Sequence, residues 1–585
     1  MLTIYGLTAF AYISFEFANF NMSNFGNFVL YTLFGFYCLV KNGISKKTDI
    51  ANDILVWIMS AAFSATVVLG YHFTYETVIT AKVLIMFVFS IGGLTSVYKA
   101  MFTQLYELLK RWAICEAKDC KTYNRQEKTK LWIKAFAIIM ICWTVVWLAY
   151  YPGFINYDHE QIQQVLNSEY TTHHPIIHTL LFGGLYKIGL ETGNAVTGII
   201  IYDFLQMSIM AGIFAYSYVY IKKHISSKIF CAVVLAFFAV FPLNSILAIS
   251  TTKDVIFSGL VLLSLILLLE YIEEKRKGKC FAAVLMLATV GMLLFRNNAF
   301  YAFVLMLFVA VCFVRLQRKS KNIIIFMLVA IVAYKGADAA LVRAFNAKQG
   351  SIGEMLSVPT QQFGRVYYTA EELGDEGTMQ LVENFYDMDK AIYRQHISDM
   401  MKKYIKNVDS SENLIEYFKT SLELFKRYPL VTVQSVVYLT QGHWDINDLS
   451  HAEIYGTDEN DRFGYLSTRV YEGYGVETNS KIPVLEELME NGFTKNKYQY
   501  IPAISLLFAP AFYLWFLALY TIQMIKAKRW TNLFIGSFFW FYILTLLAGP
   551  CSIIRYTYPL IISVPVLITT MIKTISDEKT EKNNG

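Results

Sequence analysis

YPGFINYDHEQIQQ, residues 151–164, closes a long apolar run and then sets a proline, a glycine, two carboxylates and a histidine within ten positions. Residues 131–151 before it read as one hydrophobic span. Proline lacks an amide donor and glycine frees the turn, so Tyr-Pro-Gly ends that span. Asp158, His159 and Glu160 then form either an ordinary solvated loop or the start of a site. The side of the membrane they face, and what joins them there, decides between the two.

Composition places the whole chain in a membrane. Hydrophobic residues make up 55% of it and mean hydropathy is +0.41. Many apolar runs reach the roughly 18–20 residues that a spanning helix needs. Charge is bunched between these runs, where a soluble chain would spread it. The expected fold is an all-α polytopic integral membrane protein with about 14 transmembrane helices. The net charge of +6 reflects the bunched clusters and bears on orientation, so no nucleic acid is expected as a partner. MLTIYGLTAFAYISFEF, at the start, lacks a basic leader and a small-residue cleavage site, which predicts a retained helix.

Spans are expected near 2–18, 25–40, 53–71, 79–98, 131–151, 194–220, 228–250, 254–272, 280–295, 298–315, 322–341, 501–525, 531–549 and 553–572. Basic clusters follow the even-numbered ones: Lys46 and Lys47, Lys110 to Lys130, Lys222 and Lys223, Lys275 to Lys277, Arg315 to Lys319, and Lys526 to Arg529. The positive-inside rule then puts both termini in the cytoplasm of a bacterial cell, with the chain in its cytoplasmic membrane. HPIIHTLLFGGLYKIGL, residues 174–190, decides the parity; it is short and carries a Gly-Gly pair, so it reads as an interfacial or re-entrant helix on the outer face.

The expected organisation is a four-helix addition (1–98), a basic cytoplasmic loop (99–130) and a transmembrane core (131–342) whose first outer loop is 152–193. An extracytoplasmic, mainly helical domain (343–500), C-terminal helices (501–573) and a cytoplasmic tail (574–585) complete it. Within 343–500, SENLIEYFKTSLELFKRYPL has helical periodicity and IYGTDENDRFGY reads as loop. This stretch has no cysteine, so no disulfide framework supports it. No internal repeat suggests a transporter's inverted halves.

The unusual polar residues at span ends all fall on the outer face. Asp158 and Glu160 follow the fifth span, His173 and His174 close the same loop, and Lys253 and Asp254 sit in STTKDVIF. Arg296 and Asn297 lie in LLFRNNAFY, and Arg555 in GPCSIIRYTYP. Taken singly, a turn Lys-Asp is a solvated cap and an Arg near a span end snorkels to headgroups. As a set, outward Lys253, Arg296 and Arg555 run against the charge bias and call for a partner. Cations that hold a phosphate at headgroup level, with a carboxylate as base or divalent-cation ligand, suit sugar transfer from a polyprenyl-phosphate donor.

The arrangement resembles the GT-C superfamily of membrane glycosyltransferases, which carry an acidic pair in the first long outer loop. Asp158-His159-Glu160 matches the DxE form, and residues 174–190 match the amphipathic outer helix that follows it. YPGFINYDHEQ, THHP, TKDVIF, RNNAFY, SVPTQQFGRV and RYTYP resemble a group of bacterial multi-pass proteins placed near GT-C, over roughly residues 131–573. The resemblance implies Asp158 as base or principal ligand of a divalent cation (Mg or Mn), with Glu160 assisting. It implies Arg296 and Arg555 as phosphate clamps, with Lys253 as a further one and Asp254 orienting it. His173 and His174 would bind phosphate or metal, and Pro359, Gln361, Gln362 and Arg365 would line the cleft. Trp444 and Asp445, in GHWDINDLS, would stack on and hydrogen-bond a sugar, or would anchor their loop. The implied partners are the lipid-linked donor, membrane lipid and an envelope glycan or lipid acceptor.

Two other readings stay open. A surface polysaccharide polymerase or ligase also uses lipid-linked sugars, but it would not need Asp158. A lipid-linked oligosaccharide flippase or transporter predicts charge deep in the spans, where only Asp203 and Lys335 stand.

Overall fold

The computed structural model describes residues 6–11, 25–43, 54–74, 81–116, 123–156, 159–317, 321–448, 473–493 and 501–584. These residues are helical, with only isolated bridges between loops. Three helices open the chain: α1 (Phe25–Gly43), α2 (Ile54–Thr74) and α3 (Ala81–Glu116). Next come α4 (Arg125–Ala149), α5 (Glu160–Asn167), α6 (Ile176–Glu191) and α7 (Ala195–His224). The bent pair α8 (Lys228–Val240) and α9 (Pro242–Ala248) leads to α10 (Lys253–Ile272), α11 (Lys279–Phe295), α12 (Asn297–Gln317) and α13 (Asn322–Ala344). The intervening domain contains α14 (Ser357–Leu373), α15 (Glu376–Glu383), α16 (Ser411–Arg427), α17 (Pro429–Trp444) and α18 (Pro483–Phe493). The chain ends with α19 (Pro510–Lys526), α20 (Trp530–Leu547) and α21 (Ile554–Asn584).

Among the described residues, eight helices are long and apolar enough to cross a membrane, or nine if α8 and α9 form one broken span. This is a polytopic membrane protein. A helix stands at each expected span; of the first, only residues 6–11 are described, and they are helical. Of the expected spans, α11 (Lys279–Phe295) is shorter than a full crossing, and eight or nine crossings are what length and composition support among the described residues. The expected loop 99–130 is largely helix: α3 continues to Glu116, and α4 begins at Arg125 under an Asn124–Glu127 capping box.

Capping explains where many helices begin. Asn194 accepts from the Val196 amide to start α7, and Ser227 from the Phe230 amide to start α8. Pro242, Pro429 and Pro510 occupy the first helical position of α9, α17 and α19, where the missing amide costs nothing. Helix α10 is central, with 83% of its apolar window buried, whereas α4 and α13 bury 22% and turn most of their surface outward.

Contacts between loops sort the helix ends into two sets. At one end Phe154 bridges Ser250, Thr171 bridges Lys348, and Ile397 bridges Cys551. There too Asn27 donates to Ser505 (2.5 Å), and Gln441 to the Gly70 carbonyl (3.3 Å). At the other end lie the pairs Lys223–Glu274, Arg276–Glu270 (2.5 Å), Lys573–Glu273 (2.7 Å) and Arg529–Asp577 (2.9 Å). The helices therefore alternate as the hydropathy reading expects, and Lys222, Lys223, Arg276 and Arg529 share the second end.

Helix α6 lies at the first end and is not among the crossing helices. It packs antiparallel on the opening turns of α7, where a side chain at Gly198 would run into the backbone of Leu185 and Tyr186. His178, near its start, meets the Tyr202 hydroxyl (2.9 Å). The next residue, Asp203, lies against Gly153 just past the end of α4. Thus α6 begins at the level where α4 stops and extends away from the helix layer.

Candidate functional site

The 151–156 segment is laid along the turn between α9 and α10. The Phe154 amide donates to the Ile249 carbonyl (2.9 Å), the Thr251 amide to the Phe154 carbonyl (3.0 Å), and the Asn156 amide to the Thr251 hydroxyl (3.0 Å). Gly153 sits at φ +127° against the buried Asp203 carboxylate, so both its conformation and its missing side chain are required there. Tyr202 donates to Gln206 (2.9 Å), whose amide donates to the Ala248 (3.0 Å) and Ser250 (2.7 Å) carbonyls. A continuous polar chain thereby fixes α6, α7 and the turn to one another.

The turn delivers Asp254 into a buried ion cluster. Its side chain is 1% exposed and pairs with Arg296 through Oδ1 and with Arg555 Nε through Oδ2 (3.3 Å). Arg555, itself 2% exposed, also donates to Asn156 Oδ1 (3.0 Å). The Arg296 guanidinium lies over the Tyr556 ring (4.6 Å), with Phe257 and Tyr542 at 5.8 Å. Both guanidiniums and the carboxylate are thereby buried together, and burying such charges costs free energy unless they are paired.

A second group lies beside it. Lys253, the residue before Asp254, donates to His174 Nδ1 (2.7 Å). A charged lysine offers only donors, so this contact leaves the His174 proton on Nε2. Glu160, His173 and His174 each bring a ligand-type atom within 4.8 Å of the others. The 171–174 strip is held by the loop after α13: the Thr172 amide donates to the Lys348 carbonyl (2.9 Å), and the Gly350 amide to the Thr172 hydroxyl (2.9 Å). Glu354 reaches His173 Nδ1 at 3.9 Å and pairs with the buried Lys402.

The structure thus gathers Glu160, His173, His174, Lys253, Asp254, Arg296 and Arg555 at one end of the helix layer. Asp158 lies outside the described residues, as does IYGTDENDRFGY. Glu160 is the first residue of α5 and is exposed. Asp254 pairs with the two arginines instead of with its neighbour Lys253. Asn297 is exposed at the start of α12 and takes no part in the ion cluster.

The expected cleft residues of α14 are engaged inside the intervening domain. Gln361 donates to the Arg394 carbonyl (3.0 Å), Gln362 to the Ser421 carbonyl (2.6 Å), and Arg365 to Gln434 (3.2 Å) while lying over Tyr438. The physical reason is that α14 packs along α17, which directs these side chains into the domain. Trp444 and Asp445 anchor their loop: the Trp515 indole donates to the Trp444 carbonyl (3.0 Å), and Asp445 accepts from Gln441 (3.0 Å). Lys335 is exposed over Phe300 and Tyr334.

Asn156, Thr252, Glu354 and Tyr474 were not singled out by sequence reasoning. Tyr474 meets His159 Nδ1 through its hydroxyl, and its carbonyl accepts from Tyr186 (2.7 Å), joining the region after residue 472 to the YPGFINYDHE loop. Asn156 and Thr252 stand inside motifs already quoted, one or two positions from charged residues, and that adjacency was the available signal.

The magnesium or manganese ion that the GT-C resemblance implies would take Asp158 and Glu160 as ligands; of these Glu160 is described, and it stands with His173 and His174. Magnesium takes oxygen ligands in near-octahedral geometry. Glu160 offers a carboxylate, but the other two members are imidazoles, and Lys253 holds one of them. Imidazole suits zinc and other transition metals, whereas carboxylate suits magnesium or manganese.

A family model matches residues 165–585, from within α5 to the end of the chain. It takes in Lys253, Asp254, Arg296 and Arg555 and leaves out α1 to α4 and the YPGFINYDHE loop. No curated protein matches the chain, and no solved structure does. On residues 165–585 the chain belongs to DUF6020, a family of unknown function.

Proposed function

We propose that the protein is a membrane glycosyltransferase. In this reading it moves a sugar from a polyprenyl-phosphate-linked donor to an envelope glycan or lipid acceptor on the extracytoplasmic face of a bacterial cytoplasmic membrane. The observation that carries the proposal is the buried pairing of one carboxylate, Asp254, with two guanidiniums, Arg296 and Arg555. Its two guanidiniums lie at the helix ends, beside Lys253, and suit the phosphate of a lipid whose tail stays in the bilayer.

The reaction follows from these charges. A carboxylate of the 158–160 pair takes the proton of the acceptor hydroxyl, and its oxygen attacks the anomeric carbon. The carbon–oxygen bond to the phosphate breaks, and the lipid phosphate leaves with the electron pair toward the arginines and Lys253. His174, with its proton on Nε2, adds a donor for the same anion. A divalent cation held by Asp158 and Glu160 would supply further charge stabilisation; no step here depends on it.

A flippase reading draws on the buried Asp203, yet that residue lies against Gly153 at the site end and not midway along the layer. A polymerase or ligase reading remains the nearer rival, because it uses the same arginines. Complementation of a deletion strain separates the two, with membrane protein level measured alongside. Loss of the envelope glycan in Asp158→Asn or Glu160→Gln, at normal protein level, supports the transferase. Retention in both variants overturns the acid-base assignment and leaves the polymerase reading.

A further inference from the structure

The intervening domain carries an apolar face that no described part of the chain covers. Helix α16 buries Tyr417, Thr420 and Leu424 against the domain core. Ile415, Phe418, Leu422 and Phe425 are nevertheless exposed. At about 100° per residue these four fall within an arc of roughly 80°, about a third of a turn from the buried line. Glu412, Glu416, Lys419, Glu423 and Lys426 occupy the remaining arc. The helix therefore has three faces, one toward the core, one polar and one apolar but uncovered. Scattered exposed leucines need no explanation, whereas a continuous stripe does. The stripe continues beyond Pro429 into α17 through the exposed Leu430 and Val433.

The course of α17 identifies what covers this stripe. Its far end is level with the membrane helices, since the Trp515 indole donates to the Trp444 carbonyl and Ser552 donates to the Leu439 carbonyl (3.1 Å). It touches α2, α19 and α20, and Gln441 against Gly70 and Trp444 against Trp515 set its last two turns on the helix ends. Only about 14 Å of helix separates Leu430 from Leu439. Helix α18 shows the same arrangement elsewhere: seated on α4 by the Lys481–Leu148 backbone bond (2.9 Å), it exposes Val484 and Leu488.

We propose that the α16–α17 elbow is an in-plane membrane anchor, its Ile415–Phe425 stripe and Leu430 resting in the lipid leaflet at the site end. The occupant is the glycerolipid surface itself. With Arg427, which pairs with Glu423, the polar face carries three acidic and three basic residues, so apolar burial supplies the attraction and anionic headgroups add little. Such an anchor fixes the domain against the helix layer, and this inference does not depend on the reaction assigned above.

The test uses the full chain in lipid nanodiscs. Phe418→Cys and, as a polar-face control, Glu416→Cys are labelled with an environment-sensitive fluorophore, and the unsubstituted chain supplies the native-cysteine background. Both side chains are exposed, so neither substitution disturbs packing. Lipids with a nitroxide at a shallow chain position should quench the 418 label roughly twofold or more beyond the 416 label, because interfacial helices bury their apolar face about 5–10 Å deep. Replacing zwitterionic with anionic lipid should leave that ratio unchanged. Equal quenching at both positions overturns the anchor. So does a 418 label that is shielded from water yet unquenched, which would mark a protein contact such as a second copy of the chain.

Discussion

Arg555 donates to Asn156 Oδ1 at 3.0 Å across 399 positions of chain. That bond ties the last crossing helix, α21, to the segment that carries the candidate catalytic loop. Arg555 also pairs with Asp254, so one guanidinium joins three segments that approach each other only in the folded layer. Asn156→Ala should loosen the 151–160 loop without removing any charge. Hydrogen bonds to charged groups are worth about 1.5–3 kcal/mol, so limited proteolysis near the loop should quicken by an order of magnitude or more. An unchanged cleavage rate would mean that the Phe154–Ser250 bridge suffices.

Asp254→Asn should be among the most destabilising conservative substitutions in the chain. It leaves Arg296 and Arg555 facing each other in a buried space, and breaking such a pair costs about 3–5 kcal/mol. Thermal aggregation in detergent should fall by many degrees. A wild-type midpoint would show that an anion, and not Asp254, neutralises the arginines.

The Lys253–His174 contact predicts a tautomer. In chain labelled with nitrogen-15 histidine, His174 should show an unprotonated Nδ1 and a protonated Nε2. Lys253→Met removes the donor, and the signal should shift toward the other tautomer or the imidazolium. If the spectrum does not change, another group holds the ring.

How far the site was legible in the sequence follows from these residues. Asp254, Arg296 and Arg555 stood out because charge at a span end is costly wherever it occurs, whatever the packing. Their pairing was hidden, since it depends on how α10, α11 and α21 converge from positions far apart in the chain. Gln361 and Arg365 show the converse: a motif marks them, but Arg394 and Gln434, 33 and 69 positions on, hold them inside the domain. The alternation of the helices was readable from the lysine clusters. The 174–190 segment depended on a length argument, which the packing of α6 on the opening turns of α7 now replaces with a contact.

Gly153→Ala should fail at two levels. The conformation at φ +127° strains any L side chain by about 1–3 kcal/mol, and the added methyl meets the Asp203 carboxylate. Protein level in the membrane should drop sharply. Pairing the change with Asp203→Ala should restore part of it, by relieving the clash and leaving the strain. Complete recovery would show that the backbone there is unstrained.

Asp445 gives the chain a pH dependence with a sign opposite to that of most carboxylates. It is buried where α17 meets Gly70 of α2, and burial, followed by the charge of Asp448, pushes its carboxyl up to about 7. Hydrogen bonds from Gln441 and the Asn447 amide oppose the rise without cancelling it. A carboxyl whose pKa is raised on folding binds its proton more tightly when folded. Its contribution is therefore complete below the unfolded value of about 4 and is lost as pH rises through about 7. The junction between α2 and the intervening domain should be firmest below about pH 4, and the thermal midpoint should fall between about pH 4 and about 7 and level off above that. Asp445→Asn keeps an acceptor for Gln441 and removes the charge, so it should flatten the profile and raise the midpoint at pH 8 above wild type. A profile as steep as that of wild type would place the titrating group elsewhere, and Asp448→Asn would be the next variant to measure.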